Sequence, residues 1–183
     1  MHGTWRSSGR CHVFGDNIPH DNAMIAFNHI AERQTNPDVL IPDLFASIDP
    51  GFVSRVQRGD FVIAGQNFGS GKGHTTAYIA MEALGLRVIC ESTFERVIRG
   101  AANLALPIMT GCSGISKSFK TGDEIDVDMS TGVVIRLSSG ERFSYPPIPE
   151  GLRSLLEDGG RKGFLKKWLV AHPELEHALK QPA

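Results

Sequence analysis

The stretch FVIAGQNFGSGKGHTTAYIAMEALGLRVIC, residues 61–90, constrains the fold more than any other part of the chain. FVIAG is a short, wholly apolar run that reads as a strand covered on both faces. Residues 74–85 follow with helical spacing and stop at Gly85, as a helix with a C-cap glycine does. LRVIC then resumes an apolar strand at once. Two such strands joined through a helix run parallel, because only a hairpin reverses direction in so few residues. An α/β core is therefore expected.

Between the first strand and the helix lies NFGSGKGHTT, residues 67–76. Its glycines invite a phosphate-loop reading, but the template wants Ser or Thr after the lysine, and Lys72 is followed by Gly73. The glycine that template needs upstream would be Gln66. The dinucleotide fingerprint fails as well, since Gly69 and Gly71 are followed by His74 at its third glycine. What survives is a strand, a glycine turn and a helix start, which gather free backbone N–H groups and a positive dipole end at one point. That point suits an anion, and a carboxylate serves as well as a phosphate.

The remaining segments extend this picture. CHVFGD reads as a short strand and turn, and NAMIAFNHIAER has apolar residues at helical spacing. GFVSRVQRGD reads as a short helix closed by Gly59. STFERVIRGAANLAL reads as a helix with Ser92 and Thr93 as cap candidates, followed by a short strand in LPIM. DEIDVDM, VVIRL and GERFSY alternate and pair as a β-meander, the acidic alternation of the first placing it at a sheet edge. GLRSLLEDGG and GFLKKWLVAH read as two terminal helices, the second with Phe164, Leu165, Trp168 and Leu169 turned inward.

At 183 residues and 41% hydrophobic content, the chain is long enough for one domain, spanning 1–183 with its core at about 9–170. Nineteen basic and twenty acidic residues leave a net charge of −1 with no basic stripe, which argues against a nucleic-acid partner. No run approaches a membrane span, and MHGTWRSSGR lacks the apolar core of a signal peptide, so a cytoplasmic location without membrane contact is expected. Cys11, Cys90 and Cys112 are too scattered for a zinc or iron–sulfur ligand set and too few for a disulfide framework. No metal site is expected in this chain.

Five segments in order, VFGDNIPHD, RGDFVIAGQNFGSG, FERVIRGAANLALPI, GDEIDVDMSTGVVIRLSSGERFSY and LLEDGGRKGFLKKWL, resemble the small subunit of 3-isopropylmalate dehydratase. That family is the free-standing counterpart of the aconitase swivelling domain, and the likeness runs from about Cys11 to Leu169. The resemblance implies an α/β swivelling β/β/α domain, with a parallel core, a β-meander and C-terminal helices. It implies a partner large subunit carrying a 4Fe-4S cluster, with no cofactor held by this chain. The two chains would close on a hydroxy di- or tricarboxylic acid and dehydrate it reversibly.

The family's loop reads Asn-Phe-Gly-Cys-Gly-Ser-Ser-Arg-Glu-His, its first Ser serving as catalytic base and its Arg clamping a substrate carboxylate. Here Asn67, Phe68, Gly69 and Gly71 match, Ser70 replaces the Cys, Lys72 the catalytic Ser, Gly73 the second Ser and His74 the Arg. The family's Thr-Asp after the first strand becomes His20 and Asp21. The resemblance thus places Lys72 and Asp21 as catalytic residues, joined by an ion pair or with Asp21 orienting the amine. Ser70, Gly71, Gly73, His74 and His20 become substrate-binding positions. A neutral amine at Lys72 would serve as the base; a protonated one would clamp a carboxylate. His74 cannot reproduce the bidentate fork of Arg, which points to an altered acid.

Two other readings stand beside this one. The same fold could dehydrate or isomerise a different small acid with Lys72 in place of the serine base. Alternatively, the chain could be a non-catalytic module whose loop holds a carboxylate. Structural roles compete at single residues too: Ser70 and Thr75 as helix caps, Asp21 as a turn aspartate, Arg96 in a surface ion pair.

Overall fold

The computed structural model describes residues 5–173. Seven strands form one sheet in the order β4-β3-β2-β1-β5-β6-β7. They are β1 (Arg6–Val13), β2 (Phe61–Ala64), β3 (Arg87–Cys90), β4 (Ile108–Met109), β5 (Glu124–Asp128), β6 (Val133–Arg136) and β7 (Arg142–Ser144). The first four are mutually parallel, as the short apolar runs require. The last three form the antiparallel meander, which joins the core where β5 pairs with β1.

Alternation along the central strands divides the interior in two. Val62, Ala64, Val88 and Cys90 face α4 (Thr76–Ala83) and α5 (Glu95–Asn103), in a core that also takes in Phe45, Phe52 and Tyr78. Phe61, Ile63 and Ile89 face the other way, against Cys112, Ile115, Ile125 and Val134. β2 is buried at all four positions, which explains why its sequence shows no polar alternation.

Several elements differ from their sequence reading. The helix expected over NAMIAFNHIAER shrinks to α1 (Phe27–Ala31), because residues 19–25 turn back on themselves through backbone bonds from Met24 to Pro19 and from Ile25 to His20. Short helices not read from the sequence appear at α2 (Pro37–Leu40) and α6 (Ile115–Ser118), while α3 (Phe52–Arg55) forms where GFVSRVQRGD leads us to expect a helix. Ser92 and Thr93 do not cap α5, whose N-cap is Phe94. β5 is an interior strand between β1 and β6, and of its acidic side chains Glu124 stays exposed while Asp126 meets β1, accepting hydrogen bonds from Arg6 at 2.6 Å and Ser8 at 2.8 Å. The terminal helices α7 (Glu150–Glu157) and α8 (Gly160–Ala171) form as expected, but Phe164, Leu165, Trp168 and Leu169 are 37–46% exposed. Only Gly160 of α8 is buried, so this helix touches the body through its first turn.

Candidate functional site

The parallel strands end on one side of the sheet, and their following loops continue the pairing for a few residues. Isolated bridges join Pro19 to Ser70 and Phe68 to Thr93, so the loops after β1, β2 and β3 lie side by side. A crevice at the carboxyl ends of parallel strands is where open α/β sheets place ligands. Here it is built from the two segments that sequence reasoning singled out.

The glycine turn is held from beneath. The Asn67 N–H donates to Ser92 Oγ at 2.9 Å, and Thr93 Oγ1 donates to the Phe68 carbonyl at 2.6 Å. The two residues read as helix caps therefore tie down the loop. Gly69 has φ +72°, and a Cβ there would come within 2.8 Å of Tyr78 Oη and Val97 Cγ2, so this glycine serves packing. Gly71, at φ +99°, faces open space, and its carbonyl accepts from Arg96 Nη2 at 2.7 Å. Arg96 also lies over the Phe94 ring, 4.4 Å from its centre. It is thus a brace for the loop, not half of a surface ion pair.

His20, Asp21 and His74 meet at the centre of the crevice. Asp21 Oδ1 is 3.2 Å from His20 Nδ1 and 2.7 Å from His74 Nδ1. His20 is wholly buried, and its Nε2 accepts the Ala77 backbone N–H of α4 at 3.2 Å. That bond assigns the tautomer: Nε2 is bare, so Nδ1 carries the proton and donates it to Asp21. Burial holds His20 below its ordinary 6.5, against the opposing pull of Asp21. Burial on its own would raise the Asp21 carboxyl, but the bonds from His74 and His20 outweigh it and keep the group below its ordinary value.

Two expectations change here. Asp21 makes no ion pair with Lys72, which is exposed and has no salt-bridge partner among the described residues. Asp21 Oδ1 meets two imidazoles instead. Nor is the start of α4 wholly a free set of donors, since His20 takes the Ala77 N–H, although the N-cap Thr75 makes no side-chain cap bond. The amides of Gly71, Lys72 and Gly73, by contrast, have no acceptor among the described residues. Ser70 contributes its carbonyl, which accepts the His20 N–H at 3.0 Å. Gly73 and His74 open onto a shallow cleft of about 290 Å³, walled opposite by Ile30, Arg33, Gln34 and Thr35. Arg33 escaped sequence reasoning because the helix expected there would have placed it on a regular face; its φ of +53° marks a break in the chain.

The ligand atoms of His20, Asp21 and His74 all lie within 4.8 Å of one another, a spacing compatible with a metal. The His20 tautomer opposes that use. A metal on Nδ1 would move the proton to Nε2, where it would face the Ala77 N–H donor to donor. An iron–sulfur cluster does not fit this chain either. Cys11, Cys90 and Cys112 are wholly buried, and burial pushes each thiol up to about 12, away from the thiolate that cluster ligation needs.

The parallel core, the attached meander and the crevice at the strand ends define an α/β domain with its candidate site at the carboxyl edge of one mixed sheet. Comparison with known proteins carries the assignment further. The chain is 33% identical over 159 residues to the 3-isopropylmalate dehydratase small subunit of Caldicellulosiruptor bescii, spanning 86% of this chain and 93% of that one. It is 32% identical over 160 residues to the isopropylmalate/citramalate isomerase small subunit of Methanocaldococcus jannaschii, spanning 87% and 93%. The crystal structure of 3-isopropylmalate dehydratase from Methanocaldococcus jannaschii superimposes with a TM-score of 0.82 at 29% identity, covering 92% of this chain and 98% of that one. No protein-family model matches. The chain belongs to the family of 3-isopropylmalate dehydratase small subunits.

Proposed function

We propose that this chain is a single swivelling domain, the smaller half of a cytoplasmic two-chain hydro-lyase. Its partner is a large subunit bearing a 4Fe-4S cluster, and together they dehydrate and rehydrate a hydroxy acid with two or more carboxylates. The observation that carries this reading is the meeting of the His20–Asp21 turn and the Lys72–His74 loop in one crevice, in a chain of this family. Lys72 and the amides of Gly71, Lys72 and Gly73 receive a substrate carboxylate, as an exposed ammonium beside unpaired N–H donors favours. Asp21 is the fixed negative charge of the site. The buried setting that a neutral amine base requires is not provided by this chain alone, so Lys72 acts as a clamp. Among the described residues no helix is long and apolar enough to cross a membrane.

Affinity capture of the tagged chain from its native extract under anaerobic conditions tests the partnership. The expected result is a co-purifying cysteine-bearing chain with bound iron; recovery of the chain alone and iron-free contradicts it. The replacement of an arginine by His74 favours an acid other than 3-isopropylmalate itself. A panel including citramalate, which the Methanocaldococcus jannaschii relative carries in its name, separates the two substrates.

A further inference from the structure

We propose that His74 is the proton-transfer residue of this chain, acting through Nε2, and that Asp21 is the residue that positions it. The inference deepens the function proposed above and rests on it.

Ring geometry carries the first step. An ionised carboxylate only accepts, so the 2.7 Å contact between His74 Nδ1 and Asp21 Oδ1 places the proton on Nδ1 and leaves Nε2 of the neutral ring bare. Accessibility carries the second. Nε2 has no protein partner, yet it is absent from the buried, unpartnered side-chain atoms among the described residues, which are Ser7 Oγ, His12 Nδ1 and His29 Nδ1. It therefore reaches solvent, on a side chain 29% exposed that lines the cleft.

The chain's other histidine–aspartate pairs supply the contrast. His12 meets Asp60 through Nε2 at 2.9 Å, and His29 meets Asp43 through Nε2 at 2.6 Å, and in both the remaining Nδ1 is sealed in the interior. His20 is engaged at both nitrogens. Of these four rings, only His74 pairs with its carboxylate on one side and leaves its other nitrogen unpartnered and open to solvent, on a residue that lines the cleft. On the opposite wall stands Arg33, exposed and without an ion-pair partner among the described residues, suited to a carboxylate of the same substrate.

In dehydration, the carbon beside a carboxylate gives its proton to Nε2. The C–H electron pair becomes the C=C bond as the C–O bond breaks, and the hydroxide departs to an acid, proton or metal ion, supplied by the partner chain. Rehydration reverses each transfer.

The test uses the reconstituted two-chain complex with 3-isopropylmalate and citramalate, reading kcat, KM and exchange of the substrate C–H with deuterated solvent. His74→Gln is expected to lower both kcat and exchange by about 10²- to 10⁴-fold, the contribution typical of general base catalysis, with KM changed only a few-fold. Asp21→Asn lowers kcat in the same direction without replacing the ring. Lys72→Met raises KM while exchange persists. Melting of the isolated variants checks that each folds. His74→Gln retaining kcat and exchange, while Lys72→Met abolishes both, overturns the assignment and leaves the hydro-lyase reading intact. A wild-type complex inactive toward every acid overturns both.

Discussion

At the residue scale, His20, Asp21 and His74 are joined by hydrogen bonds, and the sequence revealed their positions but not their partners. The family resemblance sets Lys72 beside Asp21; the fold gives Asp21 two imidazoles in its place. That substitution depends on His20 reaching the start of α4, a contact between residues far apart in sequence that no local pattern encodes. His20 also makes a testable contribution to stability. Its folded value lies below the ordinary 6.5, so between the two the unfolded chain binds the proton that the native chain excludes. The stabilisation is complete above 6.5 and is lost progressively as pH falls below it. Thermal melting of the isolated chain should therefore decline on acidification from pH 7.5 to 5.5. In His20→Gln that decline should be shallower; an unchanged slope would contradict the buried neutral ring.

At the element scale, the crossover from β2 through α4 to β3 was legible because a glycine turn between an apolar strand and a helix admits few folds. The meander was legible from its alternation. What could not be read was where its first strand would sit, since pairing with β1 is a long-range choice, and β5 became interior through it. The apolar face of α8 stays exposed against expectation because helical spacing shows which residues share a face, not whether anything covers it. Within the glycine turn the structure separates scaffold from site. Gly69→Ala forces a Cβ into Tyr78 and Val97 at a left-handed backbone, and should cost about 1–3 kcal/mol by overpacking. That corresponds to roughly 2–4 °C of melting temperature per kcal/mol for a chain of this length. Gly73→Ala meets only Arg96 Cδ at 3.6 Å and should leave melting within about 0.5 kcal/mol of wild type. Equal melting temperatures for the two variants would contradict this division of the loop.

At the scale of the whole molecule, the chain builds two cores and a crevice and holds its own thiols out of reach. All three cysteines are wholly buried, with their thiols pushed up to about 12. A thiol reagent at pH 8 should modify none of them in the native chain within minutes and all three after unfolding; rapid labelling of the folded protein would show the cysteines available for chemistry that the account assigns to a partner. What the proposal leaves to this chain is a carboxylate cradle at Gly71–Gly73, a clamp at Lys72 and the imidazole of His74, held 2.7 Å from Asp21. The most direct test of that account is turnover by the chain reconstituted anaerobically with an iron-loaded large subunit, followed by the absorbance of the alkene intermediate with 3-isopropylmalate or citramalate. The account predicts alkene formation that needs both chains and is absent from either alone. A stable, iron-loaded complex that forms no alkene from either acid or from any other hydroxy di- or tricarboxylate would contradict it.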